Sequence, residues 1–371
     1  MGGSGPPLQI VGAGPSGLAA AITASRAGRK VVVLERHHDV GARFKGDFQG
    51  LENWTTPVDA LDDLLSLGIE PTFEAVPVFE QVCYGPDGVE RRFRSRRPFY
   101  YLVRRGSAAG TLDQALKQQA LAAGVEIRFG EAVRIPAQEG LGAWGPRRAD
   151  AVAVGYLFET DLPDSSFAVL SNRLARWGYG YLLVNGGRAT LATCLFKDFT
   201  ASDVYLARIV QFFQDRFHFE MRNARRFGGV VNACPAMPDL SQPFLRIGEA
   251  SGVQDALWGF GIRIAVRSGV LAAQHGSGDP KIYRRLWQEA IGRPFRTSLV
   301  NRFFFQLAGD AGCRFLIKRL SRMDDPWKLL HGLYAPAAWK LALFPLTRFV
   351  RSLGRNRYDA AAGSMSPRIS R

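Results

Sequence analysis

"LQIVGAGPSGLAAAITASRAGRKVVVLER" (Leu8–Arg36) divides into four parts. Leu8 to Val11 form a short apolar strand. Gly12, Gly14 and Gly17 follow in G-x-G-x-x-G spacing. Leu18 to Arg26 have helical composition, and Gly28 ends the helix. Lys30 to Glu35 form a β-branched run, as expected of a parallel strand covered on both faces. The spacing has a physical logic. Gly12 permits a tight turn, Gly14 lets the backbone approach a pyrophosphate, and Gly17 lets the helix pack on the strand. Pro15 and Ser16 open a helix whose free N–H groups and positive dipole end face the phosphates. Glu35 ends the second strand, where a carboxylate binds both ribose hydroxyls, and Arg36 follows it. A glycine triplet alone says little; with both strands, the helix and the acid in order it predicts a dinucleotide site. An acid at 35, where an NADP site carries an Arg, predicts an adenosine with a free 2′-hydroxyl, as in FAD or NAD.

The totals agree with a folded globular protein. The chain has 371 residues, 47% of them hydrophobic and 22% charged, enough for one large or two ordinary domains. Its net charge of +15 is unevenly placed. Residues 281–371 hold 18 Lys/Arg against 5 Asp/Glu, a net of +13. Such a basic region meets nucleic acid, an anionic membrane surface, or only water. Cys83, Cys194, Cys234 and Cys313 form no C-x-x-C pair, so free thiols in a reducing compartment are expected, and no metal site. The opening "MGGSGPPLQIVGAG" lacks a charged n-region followed by an apolar h-region, so no signal peptide is expected. No uncharged apolar run reaches ~18 residues, so no transmembrane helix is expected. The expected location is cytoplasmic, with peripheral contact to a membrane left open.

In "YYLVRRGSAAGTLDQALKQQALAAGVEIRFGEAVRI", Tyr100 to Val103 predict a strand. Leu112, Ala115, Leu116, Ala120 and Leu121 recur at helical spacing, with Thr111 and Gln114 placed as a capping box. "GVEIRFG" returns as a strand. Residues 151–235 read as β-rich, their apolar and aromatic runs separated by Asp/Pro/Ser or Gly-Gly turns. In "YGYLLVNGG", Tyr179 and Tyr181 share one strand face.

The N-terminal unit, then Arg104/Arg105 before the "LDQAL" helix, then "GEASGVQDALWGFGIRIAVRSG" (Gly248–Gly269), occur in the order found in flavoproteins related to p-hydroxybenzoate hydroxylase. Within these, residues 7 to 275 resemble the geranylgeranyl reductase family. The resemblance implies that an arginine ahead of the helix contacts the flavin; Arg104 and Arg105 are both candidates. It implies that Gly248-Glu249 stands for a Gly-Asp turn whose acid binds a ribityl hydroxyl of FAD, Glu249 being one methylene longer. Gly259 and Gly261 then close on the flavin ring, Trp258 and Phe260 cover it, and the helix from Ile262 aims its positive end at N1/C2=O. Relatives often place a Cys-Gly turn beside the flavin where this chain has "FKGDFQGLENW". No Cys stands there; Asp47, Glu52 and Trp54 are candidates to line the pocket. Asp47, Tyr179 and Tyr181 are the candidate catalytic residues. The "GPRR" of Gly145–Arg148 replaces a glycine-rich turn of relatives and carries no assigned role.

From Lys281 the pattern turns helical and basic, mixing aromatics with arginine. It predicts either a membrane-interface element or a helical cap over the substrate cavity with a solvated basic face. No nucleic-acid-binding motif accompanies the charge.

The expected fold is α/β: a Rossmann-type FAD-binding domain built from separated segments (1–75, 100–150 and 240–280), an inserted antiparallel β substrate domain (76–99 and 151–239), a basic helical C-terminal region (281–358) and a disordered tail (359–371). The expected function is an FAD-dependent oxidoreductase that reduces C=C bonds of an isoprenoid or other apolar substrate. "GFGIRIAVRSG" has only G-x-G and no following strand ending in an acid, so no second dinucleotide site is expected. The reductant is then NAD(P)H docking transiently or a ferredoxin-type carrier protein. One alternative is an FAD monooxygenase acting through a flavin peroxide. The W-x-W-x-I-P signature of flavin halogenases is absent. Another is a membrane-associated FAD-binding protein or a non-redox, lycopene-cyclase-like enzyme.

Overall fold

The computed structural model describes residues 6–133, 140–146, 149–233, 238–242 and 244–353. The chain opens with β1 (Leu8–Val11), α1 (Pro15–Arg26) and β2 (Val31–Glu35). Then come β3 (Phe48–Glu52), α2 (Ala60–Ser66), β4 (Ala75–Val78), β5 (Glu80–Tyr84), β6 (Glu90–Arg94) and β7 (Tyr100–Arg104). Next are α3 (Leu112–Ala122), β8 (Glu126–Phe129), β9 (Gly140–Gly142), β10 (Ala151–Glu159), β11 (Ser165–Val169), β12 (Tyr179–Asn185) and β13 (Arg188–Leu195). α4 (Ser202–Phe217), β14 (Arg222–Val231) and β15 (Phe244–Arg246) precede a helical run: α5 (Ile262–His275), α6 (Pro280–Trp287), α7 (Arg293–Leu320), α8 (Pro326–Tyr334) and α9 (Ala338–Leu353).

A parallel five-stranded sheet, β15-β9-β1-β2-β8, carries the N-terminal unit. Leu8 pairs with Val31, and Leu245 pairs with Leu141, so the last strand returns to the first sheet across more than two hundred residues. α1 and α5 cover it and pack on each other. Two glycines make this return feasible. Gly12 sits at φ +108°, and a Cβ there would lie 2.4 Å from the Ala143 carbonyl oxygen. Gly248 sits at φ +57°, and a Cβ there would lie 2.3 Å from Ser16 Oγ. Both are conformations and approaches that only glycine accepts without strain. Gln114 N–H donates to Thr111 Oγ1 (3.3 Å), so the cap of α3 forms. The reciprocal half does not: Gln114 Nε2 turns to Asp39 and the Ser107 carbonyl instead.

A three-stranded sheet, β3-β7-β4, joins this unit to a seven-stranded one, β14-β10-β13-β12-β11-β5-β6. The boundary expected at residue 76 falls inside β4, which pairs with β7, while β5 and β6 join the large sheet. Strand alternation sorts β12: Leu182 and Val184 pack beneath α4, while Tyr179, Tyr181 and Leu183 face the other way. α4 itself lies within the stretch read as β-rich. Tyr205, Leu206, Ile209, Phe212 and Phe213 are its buried stripe, at helical spacing.

α7 is kinked at Gly309, where the backbone leaves helical angles (φ 53°, ψ −145°). Cys83, Cys194 and Cys313 are free thiols; Cys234, Arg147, Arg148 and the tail 359–371 lie outside the described residues. Among the described residues no helix is long and apolar enough to cross a membrane, and no cluster of His, Cys, Asp and Glu could hold a metal.

Candidate active site

The β1–α1 turn, the loop before α5, the floor of the large sheet and the C-terminal helices enclose one cavity of about 460 Å³. Gly12, Gly14, Pro15, Ser16, Glu35 and Arg36 line its near end. Gly17 does not; it packs beneath the turn, where a Cβ would lie 2.0 Å from the Gly12 carbonyl oxygen. Glu249, Gly259, Phe260, Gly261 and Ile262 line it from the far stretch, while Gly248 sits behind them. Two helices thus begin at the same cavity. Neither α1 nor α5 has a side-chain cap or an acidic residue in its first turn. Each presents free N–H groups and the positive end of its dipole to the cavity, where negative charge on a ligand is stabilised.

The acids at the two ends have spare acceptor capacity. Glu35 accepts from Ala13 N–H (Oε2, 2.8 Å) and His37 N–H (Oε1, 3.0 Å), which leaves lone pairs on both oxygens. Glu249 Oε2 accepts from Arg43 (3.0 Å), but its buried Oε1 has no partner. Gln254, also in the wall, donates to the Gly259 carbonyl (2.7 Å) and leaves its buried Oε1 without a partner. Buried acceptors without donors are costly. A ligand that brings pyrophosphate to one helix end, an electron-rich ring edge to the other and hydroxyl donors to these oxygens satisfies both needs, and FAD is such a ligand.

β7 separates the two candidate arginines. Arg104 does not line the cavity: its guanidinium is taken by Glu74 (2.9 and 2.7 Å) and the Ala109 carbonyl (2.7 Å). Arg105 lines it, held by both oxygens of Asp113 (2.9 and 2.8 Å), by Gln49 (3.1 Å) and over the Phe44 ring (4.2 Å). The Arg105–Asp113 pair is almost fully buried. Asp113→Ala therefore leaves a buried guanidinium without its main partner and is expected to cost about 3–5 kcal/mol of stability. Urea unfolding of the variant measures it.

Asp47, Trp54, Tyr179 and Tyr181 line the cavity; Glu52 does not. Glu52 is buried behind the wall, and burial pushes its carboxyl up to about 7. Asp47 accepts from Lys45 N–H (3.1 Å) and Gln49 Nε2 (2.9 Å). Burial pushes its carboxyl above the ordinary range, against the pull of these bonds and of Arg105. The rings of Tyr179 and Tyr181 lie 6.1 Å apart, and burial raises both phenols well above their usual range. Tyr179 already donates its hydroxyl proton to the Trp258 carbonyl.

Two contributors, the wall thiols and Asp255, carried no signal in the sequence, and a third was expected there only as one of two alternatives for the C-terminal helices. Cys83 and Cys194 place two thiols in the wall from β5 and β13, each pushed by burial up to about 12 and so held protonated. Asp255 organises the loop before α5: it accepts from Trp258 N–H (2.7 Å), Tyr334 (2.9 Å) and Ser298, tying that loop to α7 and α8. Leu316, Ile317 and Leu320 of α7 and Leu330 of α8 form an apolar wall. The C-terminal helices therefore cap the cavity.

A family model described as an NAD(P)-binding Rossmann-like domain matches residues 10–50. A digeranylgeranylglycerophospholipid reductase of Methanothrix thermoacetophila is 24% identical, over 91% of this chain and 94% of that one. Among solved structures, a geranylgeranyl bacteriochlorophyll reductase-like protein of Thermoplasma acidophilum matches with a TM-score of 0.70 at 17% identity, covering 94% and 98% of the two chains. The flavin-dependent brominase Bmp2 matches with a TM-score of 0.66 at 16% identity, covering 94% and 99%. With these likenesses beside the geometry, the chain is an enzyme that resembles the geranylgeranyl reductase-like flavoproteins.

Proposed function

We propose that this enzyme reduces C=C bonds of an isoprenoid or another apolar substrate, with FAD as its cofactor. What supports the reading most is the apolar and aromatic wall of Leu183, Leu316, Ile317, Leu320, Leu330 and Phe260, which belongs to the same cavity as the two uncapped helix ends. Such a wall takes a hydrocarbon chain and excludes water. Reduced FAD, when bound, supplies a hydride to one carbon of the double bond.

Gly14, Ser16 and the α1 N-terminus would hold the pyrophosphate, Glu35 the adenosine ribose, and Glu249 a ribityl hydroxyl. Arg105, rather than Arg104, would meet the flavin, and the α5 N-terminus at Ile262 would face the N1/C2=O edge. Asp47 donates the proton to the second carbon, and its carboxylate is re-protonated from water before the next turnover. It is the strongest acid of the candidate catalytic groups, and its burial keeps it protonated further toward neutral pH. NAD(P)H or a ferredoxin-type protein would supply the two electrons that each turnover uses. Contact with a membrane surface completes this reading, since an isoprenoid lipid resides there.

Oxygen dependence tests the reaction class. Dithionite-reduced enzyme is expected to saturate an isoprenoid alkene anaerobically. A product that forms only with oxygen, and carries oxygen, would replace this reading with a monooxygenase.

A further inference from the structure

The surface of the C-terminal helices is apolar where a solvated cap would be polar. Leu307, Phe315 and Trp339, at 73%, 66% and 54%, are the most exposed large apolar side chains among the described residues. Along α7 the exposed positions from 304 to 311 are Phe304, Leu307, Ala308 and Ala311, and beyond the kink Phe315 continues them. The other exposed residues between there and the end of α7 are Arg314, Lys318 and Arg319, with no acid among them, and the exposed Arg322 and Asp324 follow the helix. α9 exposes an apolar stripe as well. Its exposed residues up to Thr347 are Ala338, Trp339, Ala342, Pro345 and Leu346, while Lys340 and Thr347 are buried. Trp339 meets Phe304 at 6.1 Å, which joins the two stripes.

We infer that this face, α7 with α9, docks on an anionic bilayer. An apolar stripe rimmed by cations inserts among acyl chains while its Lys and Arg meet lipid phosphates. Charge complementarity selects this occupant, because every charged side chain on the exposed run of α7 is basic. The same helix is also the cavity wall. Leu316, Ile317 and Leu320 face inward on the turns where Phe315, Lys318 and Arg319 face outward. The bilayer surface and the reaction chamber are thus one helix apart, and a lipid substrate moves between them around α7 and α8 without crossing water. The delivery role rests on the isoprenoid reading above; the docking does not.

Flotation of the full-length holoenzyme with phosphatidylcholine vesicles, with and without phosphatidylglycerol, tests the inference. The protein is expected to bind the anionic vesicles, and high salt to weaken that binding. L307D/F315D is expected to lower it by about tenfold or more, and K318E/R319E to abolish the preference for phosphatidylglycerol. Neither pair lines the cavity, so both variants should keep their flavin absorbance and their rate on detergent-dispersed alkene. Absence of vesicle binding by the unmodified enzyme overturns the inference, as does a self-associated species that L307D/F315D dissociates. Unchanged vesicle binding by both variants overturns it as well. An enzyme that reduces dispersed alkene but ignores vesicles refutes the docking alone, and one that binds vesicles but reduces nothing refutes the reductase reading alone.

Discussion

Asp47→Asn slows alkene reduction by about 10²-fold or more, the scale of a lost general acid, while the flavin spectrum stays as it was. The side chain is 3% exposed and in the cavity wall, and its two oxygens are held by Lys45 N–H and Gln49. Asparagine keeps the size and most of the packing but cannot release a proton. The pH profile separates this role from a structural one. Burial raises the carboxyl, so the protonated, active form persists above the ordinary carboxylate range and is lost as pH rises through the shifted value. The rate of the enzyme should fall along that limb, and the Asn variant should lack it. Tyr179→Phe and Tyr181→Phe are expected to cost less than about tenfold, because a phenol raised further by burial is a poor acid. A hundredfold loss in either, with Asp47→Asn near normal, would move the proton to that tyrosine.

Gly14→Val abolishes FAD uptake without unfolding the protein. Gly14 has an ordinary extended backbone (φ −81°, ψ 177°), and a Cβ there meets nothing within 4 Å. The space it would fill belongs to the cavity at the α1 N-terminus. A branched side chain therefore blocks the pyrophosphate position while leaving the fold intact. The loss of affinity should be at least about a hundredfold, or about 3 kcal/mol. Gly12→Val is the contrast. Its Cβ would strike the Ala143 carbonyl from a left-handed backbone, so stability and cofactor should go together. Thermal unfolding and FAD titration of both variants distinguish the two outcomes.

These two residues also mark what could be read from the chain alone. The turn at Gly12–Gly17 is local: strand, glycines, helix and acid stand within thirty residues, so their spacing carries their geometry. The far half was readable through its glycines and acid at Gly248–Ile262, although its pairing through β15 and β9 is a long-range fact. Arg104 and Arg105 were not separable, because adjacent residues leave a strand end in opposite directions and composition does not say which faces inward. α4 was missed because its apolar stripe sits between strands of the same composition. The C-terminal helices were legible as a candidate cap, but the residues of the α7 wall were not. Leu316 to Leu320 read as one turn of a basic amphipathic helix, and only packing shows that its inner face closes a cavity begun at Gly12. Asp255 shows the same limit, since its partners Ser298 and Tyr334 lie 43 and 79 residues away.

The most direct measurement is the visible absorbance of the purified full-length protein, with identification of whatever denaturation releases. A single site assembled from the Gly12–Glu35 turn and the Gly248–Ile262 loop predicts a yellow protein with the two bands of an oxidised flavin, releasing FAD in one-to-one amount. A colourless protein that takes up no flavin from excess FAD would contradict it.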